Sequence, residues 1–201
     1  MLLDVKLLLF SDIHQDLRAL EALMATPADL YISAGDLANW RKGLEECGRV
    51  MRVHGDKVWV LPGNHESATD IAGLCAQFGF RDFHEQAWQV GRYWIAGLGY
   101  SNPTPFNTPG EYTEEGLGRR LERFAALEPL VLVCHTPPFG TGLDRVAPGR
   151  HAGSSAVRAF LEAHSPEHFF CGHIHECGGV ETRLGRTRAR NLGKKGYLLE
   201  I

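Results

Sequence analysis

The 201-residue chain has no apolar run of the roughly 18 residues that a membrane-spanning helix requires, which excludes that class. It has no C-x-x-C pair. Its five cysteines, Cys47, Cys75, Cys134, Cys171 and Cys177, are odd in number and scattered, which excludes a zinc ribbon and fits reduced thiols in the cytoplasm better than a disulfide framework. Basic charge is not in excess: the net charge of −3 argues against non-specific nucleic-acid binding, so a nucleic-acid partner is disfavoured. The N-terminal apolar stretch Leu7 to Phe10 is too short for a signal segment and lacks a small-residue cleavage pattern. Internal repeats, low-complexity segments and linkers are also missing, so residues 1–201 read as one domain of ordinary size.

What is present is a series of short apolar runs, each stopped abruptly by polar residues. Leu7-Leu8-Leu9-Phe10 runs into Asp12-Ile13-His14, and Leu30-Tyr31-Ile32 into Gly35-Asp36. Val58-Trp59-Val60-Leu61 is ended by Pro62-Gly63 and followed by Asn64-His65-Glu66. Leu130-Val131-Leu132-Val133 ends just before His135, and His168-Phe169-Phe170-Cys171 before Gly172-His173-Ile174-His175. Helical apolar spacing over 16–24, 42–52 and 67–78 makes the first part β-α-β-α-β-α, the pattern of a parallel sheet covered by helices. A hairpin is expected over 88–96, a turn-rich loop over 101–111, a helix over 113–127, a long loop over 136–152 and a helix over 154–163. The tail from Gly179 reads as two or three antiparallel strands.

Asp12, His14, Asp36, Asn64, His65, His135, His173 and His175 therefore all stand just past strands, where sites form in open α/β sheets. Nitrogen and oxygen donors without a thiolate suit zinc, iron or manganese. Eight such residues are too many for one tetrahedral ion and suit two ions sharing a bridge. Residues two apart in an extended chain point the same way, so Asp12 and His14 are expected to reach one ion together. His173 and His175 would do so too if extended, unless one of them tilts to a different ion. A lone histidine beside a strand is usually a hydrogen-bonded structural residue, and an Asp after a Gly is usually a turn residue. It is the joint, ordered pattern that favours metal binding.

Asp12-Ile13-His14, Gly35-Asp36, Gly63-Asn64-His65-Glu66, His135 and Gly172-His173-Ile174-His175 resemble the five signatures of the calcineurin-like metallophosphoesterase superfamily, over residues 11 to about 193. The loop Leu143 to Ser154 looks like one in its small bacterial phosphodiesterase-like members. Protein phosphatases of that superfamily carry G-D-x-x-D-R-G, and Gly35-Asp36-Leu37-Ala38-Asn39-Trp40-Arg41 departs from it. The resemblance implies a four-layer α/β/β/α sandwich of two mixed sheets flanked by helices, with a dinuclear centre at strand C-terminal ends. It implies Asp12, His14 and His175 on one metal, Asn64, His135 and His173 on the other, Asp36 bridging, and His65 facing the substrate phosphate.

The expected activity is metal-dependent hydrolysis of small phosphodiesters, cyclic nucleotides among them, by attack of a metal-bridging hydroxide with His65 as acid. The cofactors would be two divalent ions (manganese, iron, zinc or another), and the partner a small phosphate ester rather than a membrane or nucleic acid. The alternatives are a phosphomonoesterase or nucleotide pyrophosphatase and, from another class, a non-catalytic interaction scaffold, which the complete set of ligand residues disfavours. Asn64, and Arg145, Arg150 and His151 in the glycine-rich loop near His135, are candidate substrate contacts. Phe106 and Tyr112 could wall the pocket but suit core or lid packing better. His54, His84, His164 and His168 read as structural or exposed.

Overall fold

A computed structural model describes residues 5–201. In chain order the strands are β1 (Lys6–Phe10), β2 (Leu30–Ser33), β3 (Val58–Val60), β4 (Arg81–Asp82), β5 (Gln86–Val90), β6 (Tyr93–Leu98), β7 (Leu130–Cys134), β8 (Arg145–Ala147), β9 (Arg150–His151), β10 (His168–Cys171), β11 (Glu181–Leu184), β12 (Thr187–Asn191) and β13 (Tyr197–Glu200). The helices are α1 (Leu17–Met24), α2 (Leu44–Met51), α3 (Ala68–Phe78), α4 (Glu114–Leu121) and α5 (Ser155–His164). Two mixed sheets result, ordered β13-β1-β2-β3-β4 and β11-β12-β10-β7-β6-β5. Among the described residues no helix is long and apolar enough to cross a membrane.

Side-chain alternation along the strands builds the layers. Leu7 and Leu9 of β1 join Ile32, Trp59, Ile95, Val131, Val133 and Phe170 in a core between the two sheets. Leu8 and Phe10 point the other way, onto Leu20, Leu23, Met51, Ile71 and Leu74 of α1–α3. On the second sheet Leu130, Leu132 and Cys134 turn outward onto Leu117, Leu121, Val157, Phe160 and Leu161 of α4 and α5. Strands buried on both faces need apolar residues at every position, which is why β1 and β7 read as unbroken apolar runs. Each such leucine contributes about 1.5–3 kcal/mol by leaving water.

The chain departs from the expected organisation in three places. The segment 136–152 is not simply a loop: β8 and β9 pair as a small antiparallel ribbon, turned at Gly149 with φ 72°. The tail is not wholly antiparallel. Only β11 and β12 form a hairpin, β12 runs parallel to β10, and β13 crosses to the first sheet to lie antiparallel to β1. The helix expected over 113–127 covers Glu114–Leu121 and tightens into a 3-10 turn at Glu122–Phe124.

One local device ties the fold to the strand ends. Ser67 caps α3 by accepting from Asp70 N, and Asp70 accepts from Ser67 N, a reciprocal capping box. The same Asp70 carboxylate takes both Nε and Nη2 of Arg41 at 2.8 Å, across to the loop after β2. We expect Asp70→Ala to destabilise the protein by about 1–2 kcal/mol, the usual cost of a lost cap, as read from a shifted urea midpoint at unchanged slope.

Candidate metal centre

The C-terminal ends of β1, β2, β3, β7 and β10 meet at one edge and bring the predicted residues together. Asp12, His14, Asp36 and His175 can each present one donor atom within 4.8 Å of the others, and so can Asp36, His135 and His173. Asp36 belongs to both sets. Its Oδ1 accepts the N–H of His65 at 2.9 Å, while its Oδ2 lies 3.6 Å from His14 Nε2 and 3.4 Å from His135 Nε2. Asn64 Oδ1 adds to the second set, 3.1 Å from His135 Nε2 and 2.8 Å from His173 Nδ1. His65 is not in either set. Its ring stands 5.0 Å from that of His14 and lines the cavity above.

The histidines split between the sets by backbone conformation rather than by extended spacing. The expectation of an extended Asp12–His14 segment is not met: Asp12 and His14 have φ of 56° and 47°, so left-handed turns aim both side chains at His175. His173 has φ 69° and His175 opens a 3-10 turn, which sends the two rings to different sets. Non-glycine residues rarely hold such angles, and their clustering here is the kind of strain found at functional sites.

Partners on the far side of the rings fix which nitrogen is free. His14 Nδ1 is 2.9 Å from Asn39 Oδ1 and 3.2 Å from Ala38 O, and His135 Nδ1 is 2.8 Å from Ala34 O. Each Nδ1–H donates outward, leaving Nε2 toward the centre, the arrangement that orients metal-ligating histidines. His14 Nε2 then lies 2.8 Å from His175 Nε2, closer than two lone pairs tolerate without a proton or cation between them.

The charge balance also fits cations. Asp12 and Asp36 are buried. Among the described residues neither has a lysine or arginine within ion-pair distance, only His175 for Asp12 and His14 and His135 for Asp36. Burial works to raise Asp36, yet the neighbouring His135 holds its carboxyl well below the usual range. Burial would lower His135, but Asp36 wins and lifts it to about 9, so a proton there stands where positive charge is needed. Burial, helped by His135, drops His173 to about 3 and leaves its ring neutral. Burial also lowers His14. Thiolates do not compete, since burial pushes Cys134 up to about 12. All donors are thus nitrogen or oxygen, the set for zinc, iron or manganese.

Glu66 has a role the sequence did not disclose, although it ends the Gly63-Asn64-His65-Glu66 motif. Fully buried, it accepts from Asp36 N at 3.1 Å, Ala38 N at 2.7 Å and Gly63 N at 2.8 Å, clamping the loop after β2 to the loop after β3. Burial and then the Asp36 charge push it up to about 8. Gly63 is required for closeness: a Cβ there would overlap Asp36 Oδ1.

A cavity of about 490 Å³ opens over the centre, lined by Asp36, Asn64, His65, His173 and His175 on its floor and by Pro103, Pro105, Phe106, Val146, Arg150 and His151 on its walls. Of the four candidate substrate contacts, Asn64, Arg150 and His151 line it and Arg145 does not. Phe106 is 70 % exposed at its rim, whereas Tyr112 packs against the second helical layer. His54 stacks on Tyr31 and His84 bonds Gly99 N and Tyr112, both structural.

A family model described as calcineurin-like phosphoesterase matches residues 5–177. The Methanocaldococcus jannaschii protein MJ1162 is 30% identical over 202 aligned positions, covering 97% of this chain and 91% of that one. Among solved structures, TT1561 of Thermus thermophilus superposes with a TM-score of 0.73 at 19% identity, over 96% of this chain and 91% of that one. The phosphopantetheinyl hydrolase of Mycobacterium tuberculosis gives 0.62 at 18%, over 94% and 89%. A dimetal phosphatase from Danio rerio gives 0.61 at 13%, over 94% and 88%. At these identities the structural likenesses establish the fold.

Two variants test the centre. Asp36→Ala should remove the donor common to both sets, so that metal analysis after manganese loading falls from about two ions per chain to below one. Manganese should raise the melting temperature of the wild type and not of the variant. Gly63→Ala should disturb the same carboxylate sterically and lower metal content while the isolated chain still folds.

Proposed function

The chain belongs to the calcineurin-like phosphoesterase family, a family of metal-dependent phosphoester hydrolases that use two divalent ions, and we propose that within it this protein is a phosphodiesterase acting on small phosphodiesters, cyclic nucleotides among them. In this reading Asp12, His14 and His175 would hold one ion, Asn64, His135 and His173 would hold the other, and Asp36, common to both donor sets, would serve both. When bound, the two ions supply Lewis acidity toward the phosphoryl group and lower the pKa of water from about 15.7 to about 7.

The observation that carries the reading is Asp36 shared between two donor sets on the floor of an open cavity. The balance of charge on the walls supports a diester. Arg150 is the single lysine or arginine among the residues lining the cavity, so little fixed positive charge beyond the ions meets the extra charge of a monoester dianion. The walls formed by Pro103, Pro105, Phe106 and Val146 accommodate a second ester group instead.

His65 would serve as a hydrogen-bond donor to the phosphoryl or leaving oxygen. The N–H of Trp40 donates to its Nδ1 at 3.1 Å, so the neutral ring carries its proton on Nε2. Nε2–H is then the atom free to meet a phosphoryl or leaving oxygen, and the ring cannot turn without losing the Trp40 bond. With Nδ1 so occupied the ring is held as a fixed donor to developing negative charge rather than as the acid expected from sequence. One such preorganised donor is worth about 10²–10³-fold.

A specific feature favours nucleotide pyrophosphatase activity as the second reading. A smaller cavity of about 290 Å³ beside Asp12 and His175 is lined by Arg190, Lys194 and Lys195, a setting for a further phosphate. Rates on bis-p-nitrophenyl phosphate, p-nitrophenyl phosphate and a nucleoside diphosphate ester, with manganese, separate the readings. The diester should be fastest, and preference for the monoester or the pyrophosphate would overturn the first reading. His65→Ala should lower kcat on the diester about 10²–10³-fold at unchanged metal content, and loss of metal along with rate would instead make His65 a ligand.

A further inference from the structure

One hydrogen-bonded Asp–His pair on the cavity wall, Asp144 and His151, is not used by the chemistry above. Asp144 is 0 % exposed and accepts from Gly140 N at 3.0 Å, Thr141 N at 2.8 Å and Gly153 N at 3.0 Å, which shapes the whole segment between β7 and α5. Its Oδ1 also takes His151 Nδ1 at 2.7 Å. Oδ1 has only acceptor character when ionised, so the imidazole proton sits on Nδ1 and Nε2 is left with a lone pair. His151 itself lines the cavity, with the edge of Phe139 against its ring at 6.0 Å between centroids.

The opposite wall is braced in a matching way. Glu111 accepts from Thr104 Oγ1 at 2.6 Å and Thr108 N at 2.8 Å, and Thr104 Oγ1 accepts from Phe106 N at 3.2 Å. This holds Phe106 on a fixed loop with its ring in solvent at the cavity rim. The two walls are tied together by Asn102, whose Nδ2 donates to Ala152 O at 3.3 Å and whose Oδ1 accepts from Thr136 Oγ1 at 2.8 Å. An apolar face and an oriented hydrogen-bond acceptor thus confront the same space above the candidate ligands.

We propose that His151, positioned by Asp144, selects the ester group of the substrate: Nε2 accepts a hydrogen bond from a hydroxyl on a ring-bearing alcohol of the nucleoside or sugar class, whose ring face packs on Phe106 and the Pro103–Pro105 loop. The proposal rests on the phosphodiesterase reading and adds to it a discriminating residue and the chemistry it discriminates. A site built to bond a hydroxyl rejects the analogue lacking it more strongly than an apolar pocket distinguishes shapes, because the acceptor is then covered by the bound ring and left unpaired.

The test uses the manganese-loaded full chain and two substrates with the same leaving group, the p-nitrophenyl esters of uridine 5′-phosphate and of its 2′,3′-dideoxy analogue. Nitrophenolate release is common to both, so their kcat/KM ratio reads recognition of the retained nucleoside. The wild type should prefer the ribonucleoside ester by about tenfold or more, in KM rather than kcat. His151→Phe keeps a ring and removes the acceptor, and the preference should collapse toward unity. His151→Gln restores an acceptor and should recover part of it.

Independently of turnover, long-range proton–nitrogen correlation spectra of the metal-free protein at mildly alkaline pH should show His151 protonated at Nδ1 and bare at Nε2. Equal wild-type rates on the two esters, an unchanged ratio in His151→Phe, or the opposite tautomer would each overturn the proposal while leaving the phosphodiesterase reading standing. No hydrolysis of either ester, nor of bis-p-nitrophenyl phosphate, would overturn both.

Discussion

Two carboxylates, Asp12 and Asp36, are buried at the meeting point of the sheets with histidine as their sole ion-pair partner among the described residues, and the rest of the structure answers to that constraint. An uncompensated buried carboxylate costs more than the roughly 5–15 kcal/mol by which a domain of this size is stable. Backbone amides take part of the load: His65 N–H holds one oxygen of Asp36, His173 N–H one oxygen of Asp12, and Ser11 Oγ the other. What remains is negative potential focused on the gap between imidazole nitrogens. Divalent cations complete this arrangement, so binding them and stabilising the fold are the same event.

The geometry that makes the gap also strains the chain. Asp12, His14, Asp36 and His173 all hold left-handed backbone angles, each costing on the order of 1–3 kcal/mol for residues with a side chain. These turns persist because neighbouring loops lock them: Asp12 N donates to Gly35 O and His14 N to Asp36 O, both at 3.0 Å, while Glu66 clamps Asp36 and Gly63 from beneath. Gly172 contributes by absence, since a Cβ there would sit 2.6 Å from Asp12 Oδ2. Strain, glycine and a buried acid are therefore one device, spread over residues far apart in sequence.

The succession of strands and helices and the gathering of candidate donors just past the strands were legible from sequence because both are local signals, whereas the two-sheet layering was implied by the family resemblance. Strands buried on two faces must be apolar runs, and the sites of such sheets lie just past those runs. The route of the tail was not legible. Whether β12 pairs parallel with β10 and β13 crosses to β1 depends on which edges are free, a non-local matter that alternation alone does not encode. The extended Asp12–His14 geometry was a wrong premise with a right residue pair, because left-handed turns can converge two side chains as well as a strand can. Glu66 and Asp144 stay hidden in the sequence for a common reason. An acid a few residues past a glycine, in a stretch that reads as loop, looks like a turn or surface residue until burial and three captured amides show otherwise.

Catalysis and selection are carried by different parts of this architecture. The candidate ligands sit at the ends of sheet strands, and the imidazoles of His14 and His135 are each fixed by a backbone or amide partner on the side away from the centre. The groups that would meet an ester group, Phe106, Arg150 and His151, belong to the segments 101–111 and 136–152, which Asn102 ties to each other and which reach the rest of the fold through Gly110 N–H donating to Asn64 O and Asn191 Nδ2 donating to Leu143 O. Arg150 and His151 make no hydrogen bond to a candidate ligand among the described residues, so changes at those two positions alter the wall alone, whereas the 101–111 segment is tied to the centre by Gly110 N–H donating to Asn64 O at 3.0 Å. A centre whose donors are fixed by sheets and whose walls are fixed by separate acid-braced loops can keep one reaction while exchanging one alcohol for another. In the proposed reading the strand ends set how phosphorus is attacked, and the two braced loops decide which ester is presented.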